Sequence, residues 1–193
     1  MELTKRQAEI IDISFFLTAE KGIQNLTIKN IAKKIGISEP AIYRHFPSKF
    51  DILMTMLNSF DKIASDVLLD SNIKNFNSLE KIEYFLTDRY KRCSENQNLA
   101  KVMFSEEFFQ NDERLSKKVL AIMHSHKSEI EKIINAAQVS GEIRNDIDPT
   151  SLFRIIFGAM RLLVKQWCLT NYKFNIQTEG MKLWNAQKKL IKI

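Results

Sequence analysis

The sequence predicts an all-α chain of about nine helices, a three-helix head followed by a larger helical body. Three observations predict it. Only 5 Gly and 3 Pro occur among 193 residues, too little turn chemistry for a many-stranded sheet fold. Apolar residues make up 45% of the chain, enough for a core and well outside the range of disordered sequences. They also recur at three- and four-residue steps through long stretches, with no internal repeat, low-complexity tract or flexible linker between them.

The elements follow in order. Residues 3–21 place Ile10, Ile13 and Leu17 on one face and stop at Gly22. Thr27 caps a short helix, Ile28–Ile35, whose inward side is Ile28, Ile31 and Ile35. Gly36-Ile37-Ser38 makes a tight turn. A third helix, residues 39–46, is stopped by Pro47. Ser48 with Asp51 gives a capping-box-like start to a longer helix reaching about Leu69. The polar run 72–78 reads as a loop. Helical patterns then occupy about 78–95, 98–109, 113–140, 149–170 and 176–191. The chain divides into a head, residues 1–48, and a body, residues 49–193.

Two short helices joined by a Gly-containing turn have the geometry of a helix-turn-helix. Ala32 is small where the helices cross, Gly36 accepts a positive φ, Ile37 fills the space under the turn, Ser38 caps the next helix and Ile42 points inward. Pro40, Ala41, Tyr43, Arg44 and His45 are left on the outer side, small and hydrogen-bonding groups suited to a major groove. Six cations and one acid, Glu39, lie between Lys21 and Phe50, so this segment holds five of the six net positive charges. A solvated lysine-rich surface would share that charge, but not the turn chemistry.

The string TIKNIAKKIGISEPAIYRHFPSK resembles the TetR-family signature at Thr27, Ile31, Ala32, Gly36, Ile37, Ser38, Tyr43, Phe46 and Lys49. The spacing of Ile10, Leu17 and Gly22 resembles the family's first helix. The resemblance implies a dimeric transcriptional repressor on a palindromic double-stranded DNA operator. Thr27, Lys29, Ser38, Pro40, Ala41, Tyr43, Arg44, His45 and Lys49 are the DNA-contacting candidates, with Lys49 on a phosphate. Ser14 and Thr18 stand where the family often has Ala and Phe, and Glu39 where a basic or neutral residue is common.

The body resembles the family's regulatory domain in length and helix count. Residues 152–169 are apolar at 13 of 18 positions, so this helix has more than one face to bury. In the family the last two helices pair between subunits, and Phe153, Met160, Leu163, Trp167, Met181 and Trp184 are the interface candidates. One recognition helix reads few base pairs, which independently favours a homodimer. The resemblance also implies an effector cavity, with Phe85, Met103, Phe104, Phe108, Met123, Phe157, Met160 and Arg161 as lining candidates. Ordinary core is the alternative for each, and a salt bridge for Arg161. A lining of Phe, Met and Leu with few cations suits a small apolar or amphipathic effector.

Other classes find less support. There is no phosphate-binding Gly loop, GxSxG or HExxH, and Glu106-Glu107 has no identifiable catalytic partner. His124 and His126 point to different sides of a helix, a poor metal pair. No enzyme, cofactor or metal is expected. Arg154, Arg161 and Lys165 interrupt the most apolar stretch, and no signal-peptide core precedes it, so a cytoplasmic protein without a membrane span is expected. Cys93 and Cys168 read as reduced thiols. The same helix-turn-helix also resembles the nucleoid-occlusion branch of the family, a DNA-bound interaction protein needing no effector.

Overall fold

A computed structural model describes residues 3–192 and contains nine α-helices among them. Helix α1, Lys5–Lys21, opens with a reciprocal capping box between Thr4 and Gln7 and closes at Gly22, where φ is 82°. A 3₁₀ turn, Ile23–Asn25, leads to α2, Ile28–Ile35. The Thr27 side chain accepts a hydrogen bond from the Asn30 N–H at 3.0 Å, and Gly36 ends α2 in the left-handed conformation. Helix α3, Glu39–Tyr43, is shorter than the expected 39–46. Beyond Tyr43 the bonding tightens into a turn, with the His45 and Phe46 N–H groups both donating to the Ile42 carbonyl. Ser38 occupies the cap position without a side-chain cap bond; its carbonyl receives the Ala41 and Ile42 N–H groups.

Helix α4, Lys49–Ile73, starts at the expected Ser48 cap and runs four residues past the expected end at Leu69. Helix α5, Ser78–Glu95, carries a capping box between Asn77 and Glu80. The single helix expected over 98–109 is instead α6, Gln97–Met103, followed by a 3₁₀ turn, Glu106–Phe109. The physical reason is that neighbouring aromatics serve different cores. Phe104 packs into the body and Phe109 into the head cluster, so the chain must bend at Phe104 and Ser105. Helices α7, Glu113–Val139, α8, Pro149–Leu169, and α9, Ile176–Ile191, complete the body. Asp112, Asp148 and Asn175 cap their first turns.

Two apolar clusters organise the packing. One joins α1, α2, α3 and the first half of α4, through Ile10, Phe15, Ile31, Ile42, Phe46, Ile52 and Phe60, and takes in Val102, Phe109, Leu115 and Ile122 of the body. The other fills the body around Leu86, Tyr90, Ile134, Phe157, Trp167 and Trp184. In α1, Ser14 answers its burial by donating to the Ile10 carbonyl at 2.7 Å, whereas the buried Thr18 hydroxyl has no partner among the described residues. No helix among the described residues is long and apolar enough to cross a membrane.

Candidate DNA-reading head and effector cavity

The outer side of the head is built by what its inner side buries. Ile42 is fully enclosed with Ile31, Ala32 and Phe46 around it, which turns α3 so that Pro40, Tyr43 and Arg44 face solvent. Tyr43 is 49% exposed, and neither it nor Arg44 has a polar side-chain partner among the described residues. Ser38, Thr27 and Lys29 are exposed beside them, as are Lys33 and Lys34, which the sequence left out of the candidate set. Ala41 and His45 are half-buried, and the His45 carbonyl accepts from the Gln7 side chain at 3.3 Å. Lys49 is half-buried too. Its Nζ donates to the Ile23 carbonyl at 3.3 Å, and burial lowers its pKa below the ordinary lysine value. In this arrangement it ties α4 to the turn after α1 rather than projecting outward.

The body contains a partly open cavity of about 500 Å³, within the range of small-molecule sites. Phe85, Met103, Phe104, Met123, Phe157, Met160 and Arg161 line it together, from α5, α6, α7 and α8. Phe108 does not. It packs with the head cluster, and its ring lies 4.0 Å from where a Cβ on Gly22 would sit. The lining also contains Phe109 and residues that sequence reasoning placed elsewhere or missed: Phe60 of α4, Phe153, Arg89, His126, Lys127 and Arg154. Phe153 was expected at the subunit interface but stacks on Phe157 at 5.0 Å.

The expectation of few cations is corrected by the lining itself, which holds Arg89, Lys127, Arg154 and Arg161 against one carboxylate, Glu106. Arg161 pairs with Glu106 and lies 5.5 Å from the centre of the Phe104 ring. Lys127 faces Glu131 at 3.3 Å. His126 lies 3.2 Å from Asp61 of α4, and burial holds its pKa below the ordinary 6.5. Arg89 is 6% exposed and has no carboxylate partner among the described residues. A sequence signal for Arg89 existed: it follows Ile82 and Leu86 and precedes Cys93, on the buried stripe of α5. The cavity also touches the head, because Phe60 and Phe109 belong to both; their rings lie 6.5 Å apart, with Phe15 of α1 5.6 Å from Phe60. Lys101 of α6 adds a polar tie, donating to the Ala19 carbonyl at 2.6 Å. No group of three or more potential metal ligands occurs among the described residues.

Besides Phe153, three of the expected interface residues lie inside their own subunit. Trp184 is fully buried with its indole N–H donating to Glu83 at 2.8 Å, and Trp167 donates to the Phe174 carbonyl at 2.9 Å. Met160 lines the cavity. Leu163 and Met181 are half-buried, packed against the body core. The apolar groups that α8 and α9 leave in solvent are Ile155, Leu162, Leu169 and Leu190, of which Leu162 is 61% and Leu190 68% exposed. The physical reason is that the bulkiest side chains of a two-faced helix fill the intrasubunit core, and the outward ridge keeps a seven-residue step.

Residues 10–55 match the family described as bacterial regulatory proteins of the tetR family, and residues 56–189 match the YsiA-like protein C-terminal region. The chain belongs to the TetR family. Among the curated relatives of this TetR-family regulator is the fatty acid metabolism regulator protein of Bacillus subtilis (strain 168), 24% identical over 173 residues, covering 87% of this chain and 86% of that one. The nucleoid occlusion factor SlmA of Photobacterium profundum is 21% identical over 175 residues, 89% of this chain and 88% of that one. The fold is shared with the fatty acid degradation regulator FadR from Bacillus halodurans, at a TM-score of 0.85 and 17% identity, covering 97% of each chain. It is shared too with FadR from Bacillus subtilis, solved in complex with stearoyl-CoA, at a TM-score of 0.79 and 22% identity, covering 93% of this chain and 96% of that one.

Proposed function

We propose that this TetR-family regulator is a cytoplasmic, dimeric repressor that holds a palindromic operator through two α3 helices and lets go when an amphipathic effector fills the body cavity. The observation that carries this reading is the shared wall: Phe60 and Phe109 line the cavity and belong to the core that positions the head. A ligand that repacks those rings has a direct mechanical route to the head, and its differential affinity for the two states performs the switch. Pro40, Tyr43 and Arg44, with Ser38, Thr27 and Lys29 beside them, are the groove-facing set, and Ala41 lets the helix approach closely. Lys29, Lys33 and Lys34 serve the phosphates. The boundary at residues 48 and 49 separates the reading head from the sensing body. The dimer face is the ridge of Ile155, Leu162 and Leu169 on α8 with Leu190 on α9, exposed apolar groups that a second subunit would cover.

Aromatic and Met lining beside several cations supports an effector with a long apolar part and an acidic head. The fatty acid metabolism regulator and the stearoyl-CoA complex of FadR among the relatives support the same class. The second reading, a DNA-bound partner of another protein needing no effector, is supported by the nucleoid occlusion factors among the relatives. The cavity favours the first. We assign the chain no catalytic step.

The test is one titration of acyl-coenzyme A thioesters and free fatty acids, followed by both melting temperature and operator release. A true effector present at a hundredfold excess over Kd should add about 2.7 kcal/mol to stability. It should also weaken operator binding by about five- to 150-fold, and operator DNA should weaken effector binding by the same factor. Compounds that stabilise the protein yet leave operator affinity unchanged would refute the switch.

A further inference from the structure

Arg89 is the buried cation of the cavity wall, and its surroundings do not account for its charge. It lies on the inward stripe of α5, 6% exposed. Its Nη1 donates to the Met103 sulfur at 2.8 Å, and its guanidinium carbon lies 5.2 Å from the centre of the Phe85 ring. A thioether is a weak acceptor and an aromatic face only a partial substitute for an anion. A guanidinium carries five N–H donors and stays charged in a protein, so donors remain without a polar partner among the described residues. Burial opposes the charge most; Cys93 and the Asp88 carboxylate next along α5 favour it without a direct ion pair, and Arg92 and Arg161 add repulsion. Retaining an arginine there is costly unless something that visits the cavity answers it.

We propose that Arg89 is the anchor for the acidic group of the effector, a carboxylate on an apolar skeleton, held inside the cavity with its tail against Phe85, Phe157 and Met160. This rests on reading the cavity as an effector site. The planar fork of a guanidinium matches a carboxylate with two parallel hydrogen bonds. The other cations of the lining are differently placed. Arg161 is already held by Glu106 and Lys127 by Glu131, while Arg154 is exposed. Bulky phosphates of a coenzyme A thioester would meet those side chains, whereas a compact carboxylate reaches Arg89.

Dodecanoate, dodecanol and dodecanoyl-coenzyme A, each kept below its solubility or micelle limit, separate the possibilities when titrated by calorimetry into the wild-type protein, Arg89→Met and Arg89→Lys. The wild-type should bind dodecanoate at least about tenfold more tightly than dodecanol, the discrimination expected of a charged hydrogen bond. Arg89→Met should bind the two alike, having lost the preference for the acid, and its ligand-free form should melt no lower than the wild-type. Arg89→Lys, which keeps the charge but loses the fork, should retain part of the preference and covers the case of a Met variant that fails to fold. Equal binding of acid and alcohol by the wild-type, or an acid preference that survives Arg89→Met, would overturn the assignment. Binding of the thioester alone, unaffected by Arg89→Met, would move the anion to the outer cations and leave the effector cavity standing. No binding of any of the three would remove both the apolar-acid class and the anchor.

Discussion

Neither Tyr43 nor Arg44 makes a polar side-chain contact within the described chain, and Ile42 alone anchors α3 from inside. Arg44→Ala should therefore leave stability within about 0.5 kcal/mol of wild-type, as surface changes do. Operator binding should weaken by about 1–3 kcal/mol, measured by titration on specific and scrambled DNA. Wild-type affinity would refute α3 as the reading helix. This set was legible in the sequence because turn chemistry and inward Ile spacing fix the helix phase. Lys49 was less so, since a Lys after a proline reads as a surface cation and only the fold reveals the Ile23 carbonyl beside it. Arg89 was hidden for the opposite reason. It sits in the charged run DRYKR, where composition suggests solvent, although the three- and four-residue steps of α5 place it inside.

At the scale of elements, the expected caps at Thr27 and Ser48 mark the starts of α2 and α4, and Asp112 and Asn175 do the same for α7 and α9, because these side chains bind N–H groups that no helix can satisfy internally. The break after Met103 had no such mark. It comes from Phe104 and Phe109 seeking different cores, a tertiary demand invisible to local propensity. The close approach of α9 to α5 was equally hidden. A Cβ at Gly180 would lie 2.3 Å from the ring of Tyr90, which is 1% exposed and cannot swing away. In an open helix Gly→Ala stabilises by up to about 1 kcal/mol, but overpacking costs about 1–3 kcal/mol. Gly180→Ala should thus lower stability, with a reduced urea midpoint; an increase would mean the two helices separate easily. The α4–α7 contact makes a pH prediction. Burial lowers the pKa of His126 in the folded state below the 6.5 of an unfolded chain, more than the nearby Asp61 raises it. The unfolded state therefore takes up the proton first as pH falls through about 6.5, and the fold loses stability in that window. His126→Gln should flatten the acid-side decline of the urea midpoint. A decline equal to wild-type would place the sensitivity elsewhere.

At the scale of the whole molecule, DNA reading and ligand sensing meet only if two subunits are held at a defined spacing. The sequence showed that residues 152–169 must bury two faces, but not which, because a helix apolar at 13 of 18 positions has no single moment to orient it. The structure separates them. Val164 and Trp167 point into the subunit, while Ile155, Leu162 and Leu169 stand outside at a seven-residue step. Substitutions on the two faces should consequently fail in different ways. Leu162→Glu places a carboxylate where the isolated subunit has only solvent, so its helical circular dichroism and cavity should persist. In the dimer the same carboxylate would be buried without a partner, which is expensive, and the dimer dissociation constant should rise at least about tenfold, or about 1.4 kcal/mol. Trp184→Glu buries the charge within one subunit and removes the indole bond to Glu83, so helicity itself should fall. Sedimentation and circular dichroism on both variants distinguish the two modes. Operator affinity of Leu162→Glu should drop with dimer content and recover as protein concentration is raised. A monomeric wild-type, or a Leu162→Glu variant that sediments as a dimer, would place the subunit contact on another face.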